Sequence, residues 1–401
     1  VTDFRDKPLF ARVMSSLYAI KVGVYVLLDT LVCIGRARNN VSETLCLVRV
    51  DNIGDFVLWL DAARQIRMHF NHRRIVLVAN STFSELASVL PYWDEVISVD
   101  VKRFSSNYAY RHKLMWKIRR LCADTIIHPT ISRMFLTGDS IVRISGAKTR
   151  IGAVGDLSNI SSIQQKISNN WYTMLHRVRR EDATELEKNV NFLNALGIGW
   201  VSLSVAYIPE IAGAESGCGL VGEYFIVFPG ASWRGKMWPE QMFSQCADYL
   251  HLKFGWKAVV CGGIADVGLC ERICEGIHTH KATNLSGRTS LVGLVEVIRK
   301  ARILIGNDTS AVHIASAVNI PSVCVLGGGH FGRFVPYPEN ATGIKPEVAA
   351  YPMPCFGCNW LCIYPIDPGR AMPCVQSVEL DAVLIAVDRA LASVECAVDD
   401  V

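Results

Sequence analysis

Thr44-Leu45-Cys46-Leu47-Val48-Arg49-Val50, followed at once by Asp51-Asn52-Ile53-Gly54-Asp55, decides the fold. The first seven residues form a near-continuous apolar run, the pattern of a strand buried on both faces. The next five hold one glycine and two carboxylates before a helical pattern begins at Phe56. A buried strand passing through a tight polar turn into a helix is the opening unit of a doubly wound parallel sheet.

The same alternation continues outward. A helix is expected over Phe56–Phe70, a strand over Ile75–Ala79, a helix over Thr82–Leu90 and a strand over Glu95–Val99. Tyr108–Leu121 reads as a helix, Thr125–His128 as a strand, and Asp182–Leu196 as a helix capped by Gly197. A stretch rich in Gly, Pro and Ala then interrupts the pattern, and a second series starts at the strand Tyr224–Phe228. It runs through helix Pro239–Phe254, strand Lys257–Cys261, helices Val267–Gly276 and Ser290–Arg299, strand Arg302–Ile305, helix Thr309–Val318 and strand Ser322–Leu326.

The expected architecture is therefore α/β, with two Rossmann-like doubly wound domains facing a cleft. The boundaries expected are an apolar or amphipathic extension over 1–43, a first domain over 44–200 and a linker over 201–223. A second domain follows over 224–345, then a Cys-rich loop and C-terminal helix over 346–401.

Half of the 401 residues are hydrophobic and 19% are charged, enough for a large core. Lys and Arg exceed Asp and Glu by 41 to 37, and no basic stripe is interleaved with aromatics, so nucleic acid is not an expected partner. Cys46, Cys261 and Cys324 lie singly among apolar residues and read as small core hydrophobes of a reducing compartment. Leu17–Ile34 is the one membrane candidate, but Lys21 and Asp29 interrupt it and its length is marginal for a span. With Lys7, Arg12, Arg36 and Arg38 around it, this segment reads either as an interfacial helix on anionic lipid or as a helix docked on the domain.

Three loops could carry chemistry. In Asp51-Asn52-Ile53-Gly54-Asp55 the glycine leaves room for a ligand, and Asp55 stands at a helix start, where Asp also serves as a cap. Pro229-Gly230-Ala231-Ser232-Trp233-Arg234-Gly235-Lys236 offers amides, a hydroxyl and two cations ahead of a helix, a set suited to a diphosphate and equally to an ordinary surface loop. Asn307-Asp308-Thr309-Ser310-Ala311-Val312-His313 opens another helix whose first-turn amides favour an anion, while a lone His within a helix is often a packing residue. Gly327-Gly328-Gly329 would let a further loop approach a ligand.

In this order and spacing the motifs resemble glycosyltransferase family nine, the heptosyltransferases of lipopolysaccharide core assembly, from about Leu45 to Pro336. The resemblance implies the GT-B fold, with the acceptor on the first half and the donor on the second. It implies inverting, metal-independent transfer of a sugar, ADP-heptose being the first donor expected, to a surface-glycan acceptor carried on lipid. Asp55 matches the general base, and Arg49, Asn52 and Gly54 fall on the acceptor side. Ser232 and Lys236 match phosphate contacts. Gly262, Gly263 and Asp266 match the region of the donor ribose, and Asp308, Thr309, Ser310, Ala311 and His313 the diphosphate site. No Asp-x-Asp triplet occurs, and no catalytic cofactor is implied. Ser310 departs from the family's common Gly. Alternatives on the same scaffold are a nucleotide-sugar epimerase or a non-catalytic glycan- or nucleotide-binding protein. The setting implied is cytoplasmic, peripheral on the inner face of a bacterial inner membrane.

Cys355, Cys358, Cys362 and Cys374 add a C-x2-C-x3-C-x11-C pattern. Four thiolates at such spacing could hold a structural zinc ion or an iron–sulfur cluster, with disulfides or plain packing as alternatives.

Overall fold

In the computed structural model, residues 7–34, 42–177, 184–199, 202–211, 213, 219–367 and 369–399 are described. Arg36, Arg38 and part of the expected linker lie outside them. By its internal contacts the chain divides into two compact units, Val1–Asp51 with Phe70–Val178, and Asn52–His69 with Arg179–Val401.

The first unit is built on a six-stranded parallel sheet. Its strands are β1 (Ser42–Arg49), β2 (Arg74–Asn80), β3 (Glu95–Val99), β4 (Ala123–His128), β5 (Thr149–Ala153) and β6 (Met174–His176), ordered β3-β2-β1-β4-β5-β6. β1 sits centrally, with Leu45 to Arg49 all buried and paired to β2 and β4. Its unbroken apolar run is what a strand covered on both faces requires. β5 and β6 follow no apolar run in the sequence because they lie at one side of the sheet and are only partly buried.

The second unit carries β7 (Tyr224–Phe228), β8 (Lys257–Val260), β9 (Thr283–Asn284), β10 (Leu304–Asn307), β11 (Ser322–Val325) and β12 (Glu347–Ala349), ordered β12-β11-β10-β7-β8-β9. Every pairing in both sheets is parallel. β10 lies two residues later than expected, because Leu304, Ile305 and Gly306 pair with Ile226, Val227 and Phe228. The strand therefore ends on Asn307 itself. The helix Leu380–Asp399 covers this sheet with Val383, Ala386, Val387 and Ala390.

Helix boundaries follow local chemistry. Thr184 and Glu187 form a capping box at the start of helix Glu185–Ala195, and Gly197 takes φ +79° just beyond its end. Gly255, at φ 75°, closes helix Glu240–Phe254 in the same left-handed way. The helix Ile53–His69 groups with the second unit, although residues 44–200 read in sequence as one domain. It packs on helices Ser310–Ala317 and Glu185–Ala195, and Asn189 donates a hydrogen bond to the Leu58 carbonyl at 3.2 Å.

The N-terminal helix Lys7–Ile34 belongs to the first unit and docks on it through a buried ion pair. Arg111 donates from Nε and Nη2 to the two Asp29 oxygens at 2.9 and 2.5 Å, with the side chains 0% and 1% exposed. Arg119 adds a bond to the Cys33 carbonyl, and Arg143 reaches the Val26 carbonyl and Thr30 Oγ1. Asp29, which interrupts the apolar run in sequence, is thus the helix's anchor. Among the described residues no helix is long and apolar enough to cross a membrane.

Asp29→Ala leaves the Arg111 charge buried without its partner, and its expected cost is about 3–5 kcal/mol in the unfolding of the first unit. Urea titration followed by the fluorescence of Trp171, which packs in the same cluster as Tyr25, reads that loss.

Candidate active site

The loop motifs after β7 and β10 meet through one buried side chain. Asn307, fully buried at the end of β10, accepts from the Trp238 amide through Oδ1 at 3.0 Å. Its Nδ2 donates to the Pro229 carbonyl at 2.6 Å. The loop after β7 is therefore tied at both ends to the loop after β10. Inside that clasp Lys236 Nζ lies 2.7 Å from Asp308 Oδ2, both side chains being largely buried, and 5.2 Å from the Trp360 ring.

Thr309 is the N-cap residue of helix Ser310–Ala317, in extended backbone, and makes no capping bond with its own side chain. Its hydroxyl is buried and has no hydrogen-bond partner among the described residues. Beside it stand the first-turn amides of the helix, which have no acceptor within their own helix. An unspent hydroxyl, helix-start amides and a neighbouring ammonium are the parts of an anion cradle.

Ser232 is exposed in the β7 loop. Asp266 accepts from the Gly263 amide at 2.9 Å and lies hard against Gly230, where a Cβ would fall 2.5 Å from its Oδ2. A Cβ on Gly262 would meet the same side chain at 2.9 Å. These glycines are needed for the close approach of the two loops around one carboxylate.

Asp55 is the third residue of helix Ile53–His69, inside its first turn, so it is not the cap. Within the second unit the first turn of this helix meets that of Ser310–Ala317. A Cβ on Gly54 would lie 3.3 Å from His313 Cδ2 and 3.8 Å from Ser310 Cα. His313 is buried and hydrogen-bonded from Nδ1 to the Tyr337 hydroxyl at 2.8 Å, so it does serve as a packed helix residue. Ala311 is buried, and Asn52, the residue before the Asp55 helix, is exposed.

Arg49 stands in the first unit, 4% exposed, with Nε 3.0 Å from Asp51 Oδ2. Thr130 also donates to that oxygen, and Asn80 holds the Asp51 carbonyl. A polar cluster nearby was not foreseen from the sequence. Tyr172 donates to Oδ1 of Asp139, the last residue of a π-helical turn over Phe135–Asp139, at 2.6 Å and pairs with His128 Nδ1 at 2.8 Å. Burial, then the charges of Arg133 and Arg49, push His128 down to about 3.

One expectation is corrected. Gly327, Gly328 and Gly329 admit the cysteine loop itself, because Cβ atoms there would strike Trp360 or Phe356 at 2.2–2.8 Å. Burial, and then the neighbouring thiols of Cys355, Cys358 and Cys362, raise the Cys374 thiol above its ordinary value. Among the described residues no group of three or more His, Cys, Asp or Glu side chains is placed to hold an ion. The loop is shaped by aromatic packing and by bonds from the Gly357 and Asn359 amides to the Gly328 and Gly329 carbonyls, while Cys374 Sγ accepts from the Gly328 amide at 3.4 Å. All four are free thiols.

Two doubly wound parallel sheets of six strands, with polar loops gathered at the carboxyl ends of β7, β8 and β10, define the GT-B class of fold. The family model of glycosyltransferase family 9 (heptosyltransferase) matches residues 140–360, more than half of the chain. The chain belongs to that family. It is 27% identical over 173 residues to lipopolysaccharide heptosyltransferase 3 of Escherichia coli, which covers 41% of this chain and 51% of the relative. The chain thus spans about half the length of the curated relatives it matches. Among solved structures, the family 9 glycosyl transferase from Veillonella parvula DSM 2008 superposes with a TM-score of 0.69 at 19% identity, covering 87% of this chain and 97% of that one. E. coli heptosyltransferase WaaC with ADP-2-deoxy-2-fluoro heptose gives 0.62 at 17% identity, covering 86% and 99%.

Asn307→Ala strands the Trp238 amide and the Pro229 carbonyl, and about 1–3 kcal/mol of stability should be lost for each buried group left unpaired. Thermal unfolding reads this, and retention of the wild-type midpoint would show that the clasp does not hold the loops. A second outcome concerns pH. Burial lowers His313 from 6.5 to about 4. Between those values the unfolded chain binds the proton and the folded chain does not, so stability falls as pH drops through that window. The His313 ring signals in NMR should stay those of neutral imidazole at pH 5.

Proposed function

We propose that this chain is an inverting, metal-independent glycosyltransferase that moves a sugar, heptose from ADP-heptose in the first instance, onto a hydroxyl of a lipid-linked surface glycan. Family membership supports the reaction class. The ADP-heptose analogue held by the E. coli WaaC structure supports the donor. The single observation that carries the reading is the meeting of two helix starts, one bearing Asp55 and the other the anion cradle, through Gly54 and His313.

In this reading Asp55 takes the proton of the acceptor hydroxyl as its oxygen attacks the anomeric carbon. The bond to the diphosphate breaks on the opposite face, which inverts the configuration. Negative charge then grows on the leaving phosphate. The amides of Ser310 and Ala311, the Thr309 hydroxyl and Lys236 stabilise it, and Asp308 holds Lys236 in place meanwhile. His313 stays neutral and supports the Gly54 contact rather than adding charge. Asp266, fixed by the Gly263 amide, is the carboxylate offered to the ribose hydroxyls. Ser232 is offered to the phosphates. Arg49, Asn52 and Gly54 are assigned to the acceptor side. Catalysis without a divalent ion rests on the lack of an Asp-x-Asp triplet in the sequence and on the protein cations and dipoles that take its place. The acceptor's lipid implies work at the inner face of a bacterial inner membrane.

Asp55→Asn keeps the shape of the helix start and removes the base. Transfer should fall about a hundredfold or more while ADP still raises the melting temperature as in the wild type. Undiminished transfer by this variant removes Asp55 from the reaction, and stabilisation by a different nucleoside diphosphate in preference to ADP overturns the donor.

A further inference from the structure

The N-terminal helix has two faces, and the fold uses only one. Tyr25, Asp29 and Val32 are buried against the first unit. On the other side stand Ile20, Val24, Leu27, Leu31 and Ile34, between 47% and 74% exposed. Every exposed residue from Ile20 to Ile34 is apolar or glycine, and a Cβ on the one glycine, Gly23, would meet nothing within 4 Å. A solvated helix ordinarily turns polar residues to water, so an uninterrupted apolar face calls for a partner.

The charge around it selects that partner. Helix Tyr108–Arg119, which clasps the N-terminal helix through Arg111 and Arg119, presents Lys113 and Lys117 to solvent. The stretch Val101–Leu121 contains seven Lys and Arg and no Asp or Glu. We infer that the face formed by Ile20, Val24, Leu27, Leu31 and Ile34 inserts into the surface of an anionic lipid bilayer, with the basic helix beside it held at the headgroups. The inserted stripe is about 21 Å long at the rise of an α-helix, and it lies in the membrane plane. Since the helix is locked to the domain by the Asp29–Arg111 pair, binding would orient the whole first unit and not merely tether it.

A second copy of this chain fits less well, although the stripe has the spacing of a coiled-coil seam. A two-fold pairing sets the same surface against itself, so the basic flanks would face one another with no acidic residue from Val101 to Leu121 to answer them. The inference deepens the proposed function by naming the surface at which a lipid-linked acceptor is met. It is tested without transfer, so the two fail separately: Asp55→Asn protein should bind vesicles as the wild type does.

The test is cosedimentation with vesicles of equimolar phosphatidylethanolamine and phosphatidylglycerol, against vesicles of phosphatidylcholine alone. The wild type should bind the anionic vesicles more tightly, with salt weakening the interaction. Leu27→Ser with Leu31→Ser, at positions 66% and 60% exposed, should lower vesicle affinity about tenfold or more at an unchanged melting temperature. Lys113→Glu with Lys117→Glu should weaken binding at low salt and flatten its salt dependence. Ile385→Ser, at an exposed position on the second unit, should bind as the wild type. Three results overturn the inference: no wild-type binding to anionic vesicles, full binding by the leucine double variant, or a wild-type dimer that this variant converts to monomer without change in vesicle affinity.

Discussion

The loops gathered at the carboxyl ends of β7 and β10 depend on one carboxamide. Asn307 ends a strand of which every residue is buried, where an unpaired polar group would cost dearly, and both ends of its side chain are spent on backbone. Through it the loop after β7 is closed upon the start of the helix that follows β10. Lys236 is then confined beside Asp308 and over Trp360, and does not range through solvent as a surface lysine does. An aspartate at the same place would offer two acceptors and no donor to the Pro229 carbonyl, so charge is excluded by the geometry and only the amide satisfies both partners.

The central part of each sheet was legible in sequence because burial on both faces writes itself as an unbroken apolar run. β1, β2, β7 and β11 all fall on such runs. β6 and β9 are two or three residues long and half-exposed, and their residues carry no such signature. The boundary of the first domain was hidden for a different reason. The chain leaves β1 directly into the helix Ile53–His69, yet that helix finds its complementary surface among residues more than a hundred positions away. Local pattern marks the helix and is silent on which surface it packs against.

The candidate site was legible to the extent that chemistry and local position coincide. Thr309, Lys236 and Asp308 occur in short motifs at helix starts, and the structure gathers them. Tyr337 and Trp360 carried no signal, since a single aromatic far along the chain has no periodicity to betray its partner. The glycine triplet misled in an instructive way. It does mark a close approach, but the approaching group is the ring of Trp360 or Phe356, and glycine alone cannot tell a ligand from a loop. Cysteine spacing is as silent, because spacing along the chain leaves open whether backbone turns aim the thiols at one point.

Asp29 shows why a charge within an apolar helix need not mean an interruption. A lone carboxylate in that position would be expelled by its desolvation cost, but the bidentate Arg111 bond recovers much of it and fixes the rotation of the helix about its own axis. Once that rotation is fixed, the remaining apolar residues cannot share the inner face. Ile20, Val24, Leu27, Leu31 and Ile34 are turned outward by the same contact that holds Tyr25 and Val32 inward. The buried ion pair and the exposed apolar stripe are therefore two consequences of one register, which the Arg119 and Arg143 bonds to the same helix also hold.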